Sequence, residues 1–333
     1  MRLDSRDYYL LAFKKALRNL RYIPTGVIEV HMVNRVKKAA LVVFALAITG
    51  CQASPFLSTK PEIGPKMPVA PLPTYVPGEF YEFDNGSRYT VTAVSKDRVS
   101  WRNNKGAKST RYVNFVIPEL QLQTKSRVVA GRTDADPRTL WPLALGNQGE
   151  FSFVQRTTKT DTKEVVDVER RWKCAVNGTK RVVVPAGTFN TFVIKCDRFS
   201  LVSGSLRGTR IYYYSPKIGY YVMREDMKPR SVDHRRQLVR HGFRTTLLPK
   251  KEQASLIRTL TRALETNPDG VASTWNSSSR RISAMLVPVR SYKSTGGAMC
   301  RKYYSVYNVN GHIHKNARRM CKDRKSGNWK RIG

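Results

Sequence analysis

Acidic side chains are scarce, with 24 Asp and Glu against 60 Lys and Arg in 333 residues. Histidine is scarcer, five in all, and four of these (His234, His241, His312, His314) follow residue 51. Chemistry that needs paired carboxylates or imidazoles therefore has few residues to draw on. His312-x-His314 sets two imidazoles on one face of a strand, as some metal sites do. Apart from Asp323 and the cysteines, no ligand lies near enough in sequence to complete a set, so a solvated strand is the better reading and no metal is expected. No Gly-rich loop opens a helix to cradle a phosphate. Gly204-Ser205-Leu206-Arg207-Gly208 lacks the spacing of a nucleophile elbow and reads as a hairpin loop. No catalytic residue and no cofactor is expected. Long hydrophobic runs are also missing: Ala39 to Ala47 is far short of the roughly 20 residues that cross a bilayer.

That short run sits in an informative context. Arg35, Lys37 and Lys38 precede it, and Ile48-Thr49-Gly50-Cys51 follows. A basic start, a brief apolar stretch and small residues before a cysteine are the ordered parts of a lipoprotein export signal. Residues 1–51 are read as an N-terminal extension and signal peptide, with Met32 as the expected start. Cys51 is the expected lipidation site, carrying diacylglycerol and palmitate, and it would anchor the chain to a membrane. Gln52 in the next position favours the outer membrane, with the body facing the periplasm or the cell surface.

Four cysteines remain after Cys51, and four cysteines allow three pairings. The sequence-local choice, Cys174 with Cys196 and Cys300 with Cys321, is the most economical. Neither pair has the short spacing of a zinc site, and an oxidising compartment closes thiols into disulfides.

Charge is the most unusual bulk property. The residues after Cys51 carry 51 basic and 21 acidic side chains, net +30, and the last 84 carry 18 and 4. Such a surface attracts polyanions over a Debye length of about 8 Å. In an envelope these are lipopolysaccharide phosphates, anionic headgroups and acidic cell-wall polymers; a protein partner is also compatible, and nucleic acid is not expected. Solubility alone is the plainer explanation of the charge.

Residues 52–77 hold seven prolines and no hydrophobic periodicity, the composition of a semi-rigid tether. From 78 to 245 the chain alternates with period two and is rich in aromatic and β-branched residues. Examples are Glu79 to Phe83, then Asn85-Gly86 as a hairpin signal, then Tyr89 to Val94. Asn177-Gly178 reads as a further turn. Tyr212-Tyr213-Tyr214 and Tyr220-Tyr221, beside Arg207, Arg210 and Lys217, are either a stacking face for glycans or bases or alternate core and surface positions of two strands. Residues 250–333 begin with helical spacing from Lys251 to Leu264 and continue in short strands. The fold class expected is mainly β, an antiparallel all-β middle domain followed by a small disulfide-stapled α+β C-terminal domain.

Within that last segment, Gly296-Gly297-Ala298-Met299-Cys300-Arg301, Gly311, Cys321 and Gly327-Asn328-Trp329 resemble the C-terminal domain of the seventeen-kilodalton surface-antigen lipoproteins of proteobacteria. The family's glycine zipper has no counterpart here. The resemblance implies an outer-membrane surface protein without catalysis. In the middle domain, Val184 to Phe189 and Tyr212 to Tyr220 resemble segments of β-rich periplasmic proteins of unassigned function. The expected function is a structural or surface-antigen role in which basic domains contact envelope polyanions or a protein. The alternative is a β domain that holds a lipid or small apolar ligand.

Overall fold

The computed structural model describes residues 64–228, 231–279 and 281–332, with the side chains of 231–233 left aside. The export signal, Met32, Cys51 and the first part of the tether lie outside the described residues.

Twelve antiparallel strands close into a barrel in the order β1-β12-β11-β10-β9-β8-β7-β6-β5-β4-β3-β2. The first six are β1 (Glu79–Phe83), β2 (Arg88–Ser95), β3 (Arg98–Asn103), β4 (Lys108–Tyr112), β5 (Gln121–Gln123) and β6 (Arg127–Thr133). The longer second half comprises β7 (Gln148–Lys159), β8 (Val165–Val184), β9 (Gly187–Ser200), β10 (Leu206–Ser215), β11 (Tyr220–Lys228) and β12 (Ser231–Phe243). The Asn85-Gly86 turn joins β1 to β2, with Gly86 at φ +74°. That conformation is one a side chain opposes and glycine accepts. The barrel closes where β1 meets β12, from Glu79 opposite Phe243 to Phe83 opposite Leu238.

The local turn signal at Asn177-Gly178 is overridden. β8 runs straight through it, with Asn177 bulged out between Val176 and Gly178 and Gly178 paired with Val193 of β9. Continued pairing with β9 outweighs the preference of two residues, and the chain turns instead at Pro185-Ala186. Cys174 and Cys196 face each other across β8 and β9 and form a disulfide.

The barrel interior is filled by side chains. Tyr81 stacks on Tyr220 at 4.5 Å between ring centres, Tyr220 on Tyr221 at 4.4 Å, and Trp101 lies 5.5 Å from Tyr220. The loop after β4 turns inward, and Phe115 contacts Trp141, Tyr212, Tyr214 and Tyr220. This filled interior counts against the reading in which the barrel holds an apolar ligand.

The described part of the proline-rich stretch does not stand free as a tether. Ala70 exchanges two backbone hydrogen bonds with Leu143, at 3.0 and 2.8 Å. Tyr75 is buried against Trp101, its ring 5.3 Å away. Proline makes this segment extended, and its few apolar side chains then give it reason to adhere.

The expected fold class is corrected for the C-terminal part. Among the described residues it does not form a separate α+β domain. The chain forms a five-stranded antiparallel sheet in plain sequence order: β13 (Ser273–Asn276), β14 (Ile282–Lys293), β15 (Met299–Val309), β16 (His312–Lys322) and β17 (Trp329–Ile332). One helix, α1 (Lys250–Thr266), packs on β13 and β14. It covers only part of the apolar face, and the remainder closes on the barrel. Leu256, Trp275, Leu286, Tyr307 and Val309 share one core with Phe243 of β12. Barrel and sheet belong to one compact unit. Cys300 and Cys321, directly opposite on β15 and β16, form the second disulfide.

Candidate anion-binding groove

Alternation along β14, β15 and β16 sends Ala284, Leu286, Tyr303, Ser305 and Tyr307 into the core. The other face carries exposed Met285, Tyr304 and Ile313 and, toward one end, a cationic row. Arg290 stands opposite Lys302, and Lys302 opposite Arg319, so three positive charges lie side by side across three strands. With Tyr292, Ala317 and Arg318 they line a groove of about 610 Å³ that contains no carboxylate. The carboxylates in this part of the fold are engaged elsewhere: Asp323 with Lys330 at 2.6 Å, Glu265 with Lys322 at 2.8 Å, and Asp269 with Arg301 at 2.6 Å. Among the described residues, Arg290, Lys302 and Arg319 form no salt bridge. Like charges facing each other across strands destabilise a sheet, and a bound anion reverses that sign.

The sheet is tied to α1 beneath this row. Arg301 points the opposite way from Lys302, is buried, and donates to the last carbonyls of α1 at Leu264 (2.9 Å) as well as to Asp269. A cation at the negative end of a helix dipole is favourable.

The nominated tyrosine face is not a face. Tyr212, Tyr213, Tyr214, Tyr220 and Tyr221 are all buried. Arg207 remains outside near Ser203, while Lys217 lines a second groove with His241 and Lys315. Gly204-Ser205 is an exposed turn between β9 and β10.

Arg210 turns inward and joins arginines that sequence reasoning did not single out. Its Nε donates to Asp226 Oδ1 at 2.5 Å, and Arg224 reaches Asp226 Oδ2 at 2.7 Å. Arg236 lies 3.4 Å from the hydroxyls of both Tyr89 and Tyr221. Arg111, on the far side, is buried between Tyr220 and Glu119. Burial should raise the Tyr221 phenol, yet Arg236, Arg224 and Arg111 together hold it below its ordinary value. The surroundings of Tyr221 are thus electropositive. In a chain this basic, an arginine at an inward position carries no sequence signal that separates it from an outward one. The nearest thing to one is Arg224-x-Asp226, which sets opposite charges on the same face of a strand.

His312 and His314 do come together, but not as a metal site. Both face the buried carboxylate of Glu79, with His312 Nδ1 at 3.1 Å and His314 Nε2 at 3.3 Å from Oε1. The other ring nitrogen of His314 lies 3.0 Å from His241 Nδ1. His314 therefore spends its two nitrogens in opposite directions, and the donors do not converge. Among the described residues no group of three or more His, Cys, Asp and Glu side chains is arranged to hold a metal. Burial opposes ionisation of Glu79, but hydrogen bonds from His312 and His314 outweigh it and hold the carboxyl below its usual value. Burial, reinforced by His314, lowers His241 to about 4. The cluster joins barrel strands β1 and β12 to sheet strand β16.

No known protein family and no curated protein matches the chain. Among solved structures, the hypothetical lipoprotein YmcC from Escherichia coli aligns over 49% of this chain and 84% of its own, at 8% identity and a TM-score of 0.35. That likeness is too distant to transfer a role.

Proposed function

We propose that this chain is an exported, lipid-anchored envelope protein without catalytic activity, and that the groove of the C-terminal sheet docks it on an anionic envelope polymer. The observation that carries the reading is the unpaired row Arg290, Lys302 and Arg319. Lipopolysaccharide phosphates and acidic cell-wall polymers repeat their charges along a chain and match a row better than they match one isolated cation. The expected lipid on Cys51 and the neighbouring Gln52 favour the outer membrane. The resemblance of the last segment to surface-antigen lipoproteins supports a structural or surface role, with a protein partner as the second class of contact.

Two measurements test it. Labelled palmitate should enter the wild type and not Cys51→Ala, and the variant should leave the membrane fraction. In sedimentation with purified lipopolysaccharide, the triple change Arg290→Gln, Lys302→Gln, Arg319→Gln should weaken binding about tenfold at low salt, since exposed ion pairs contribute roughly 0.2–1 kcal/mol each. Binding should also fall as salt rises. Undiminished binding by the triple variant removes the groove from the account.

A further inference from the structure

A cluster of arginines is built into the barrel around Trp172 and Asp226. Trp172 of β8 stands opposite Arg198 of β9, and Arg210 of β10 pairs with Asp226 of β11. The guanidinium carbons of Arg198 and Arg210 lie over the same Trp172 ring, 5.7 and 5.5 Å from its centre. Both oxygens of Asp226 are already taken, one by Arg210 and the other by Arg224. Arg198 is left without a carboxylate and, among the described residues, without a hydrogen-bond acceptor. Its Nε and that of Arg224 are buried and unpartnered. Buried donors of this kind each cost about 1–3 kcal/mol when unmet, and more when charged. The ring beneath Arg198 returns only about 0.5–2 kcal/mol.

The place is reachable. The side chains of Arg210, Arg224 and Asp226 keep 19, 18 and 14% of their surface exposed, and Arg198 is half-buried. Position 208 also keeps the Arg198 head clear of other side chains. A Cβ there would lie 2.8 Å from Arg198 Nη2 and 2.5 Å from the Met227 carbonyl oxygen. Glycine lets the guanidinium lie against bare backbone.

We propose that Arg198, Arg210 and Arg224 form a binding site for a phosphate dianion, either free or as the monoester of a sugar or lipid headgroup. Glu119 also feels Arg210 and Arg224 but is paired with Arg111, so the three guanidiniums around Asp226 leave a local charge of +2, which a monoester phosphate above its second pKa of about 6 neutralises. Guanidinium forks match tetrahedral oxyanions through paired N–H donors, and the terminal nitrogens of the half-buried Arg198, which have no acceptor among the described residues, supply such bonds while its Nε stays buried. The electrostatics agree: burial and the neighbouring Arg210 hold the Arg198 guanidinium below its ordinary value, the strain of a cation awaiting its counter-charge. The site is separate from the groove on the C-terminal sheet, and its test does not depend on that groove.

The experiment is isothermal titration of the full chain in neutral detergent, at constant ionic strength set with chloride. One arm uses inorganic phosphate and the other a soluble sugar 1-phosphate. Saturable binding is expected in at least one arm, and tighter binding of the sugar phosphate would identify an esterified ligand. Arg198→Gln should weaken binding at least tenfold, while the exposed control Arg181→Gln should stay within twofold. Arg198→Lys, which keeps the charge and loses the fork, should fall between them. The melting temperature should rise more with phosphate over chloride in the wild type than in Arg198→Gln, since phosphate also stabilises folded proteins without a site. If phosphate neither binds nor stabilises the wild type, or if Arg198→Gln binds as the wild type does, the proposal is overturned.

Discussion

The imidazole of His241 gives the stability of this fold a calculable dependence on acidity. Burial and the facing His314 hold its pKa at about 4, against an ordinary 6.5. The charged groups around it divide in sign. Glu79 pulls the value up, while His314, His312 and Lys217 push it down. As the pH falls through 6.5 the unfolded chain takes up a proton at this position, and the folded chain does so only near 4. Throughout that window the unfolded state binds more protons, so stability drops on acidification. Between pH 7 and pH 5 the single site contributes a loss of about 2 kcal/mol. In a chain of this size that corresponds to about 3–4 °C in melting temperature. His241→Gln keeps a polar group toward His314 but does not titrate. Urea unfolding of both proteins at pH 7 and pH 5 isolates the difference. The wild type should lose about 2 kcal/mol more than the variant over this interval. Equal losses would refute the reasoning, because they would mean that His241 protonates alike in folded and unfolded chains.

Three further outcomes follow from the packing. Replacing Cys174 and Cys196 together by Ala should cost about 3 kcal/mol in urea, the chain-entropy value for a closed loop of this length. Arg301→Met should cost about 3 kcal/mol, because Asp269 and the carbonyls at the end of α1 lose their donor; circular dichroism should show helix signal lost at lower urea. Trp101→Ala, at a site 2% exposed among Tyr75, Tyr81 and Tyr220, should cost about 3–5 kcal/mol in thermal unfolding.

Local features were readable from residues alone, and closures between distant segments were not. Glu79 to Phe83, Asn85-Gly86 and Tyr89 to Val94 announce a hairpin through period and turn chemistry, and that hairpin forms. The cysteine pairs followed from proximity in sequence, and each bridges neighbouring strands. Asn177-Gly178 misled because a turn preference is worth little beside a ladder that continues on both sides of it. The C-terminal part misled differently. Helical spacing in Lys251 to Leu264 is real, but it says nothing about how much sheet one helix can cover, and the uncovered remainder joins Phe243. Of the polar clusters, His312-x-His314 was visible as a pair. Its partners Glu79 and His241 come from the two strands that seal the barrel, so nothing nearby in sequence indicated them. The arginines around Asp226 were hidden by abundance.

The seam between β1 and β12 has a kinetic consequence. Glu79 finds its partner only at Phe243, and bringing together ends ~160 residues apart costs about 4–5 kcal/mol of chain entropy before any bond repays it. Every earlier strand can zip onto its immediate predecessor, so the sheet grows as an open ribbon with β1 waiting at one border. Until the last stave arrives, that border offers unpaired amides to any passing chain. Assembly that depends on so remote a contact is slow, and the interval before sealing is when this molecule is most exposed to mispairing with copies of itself.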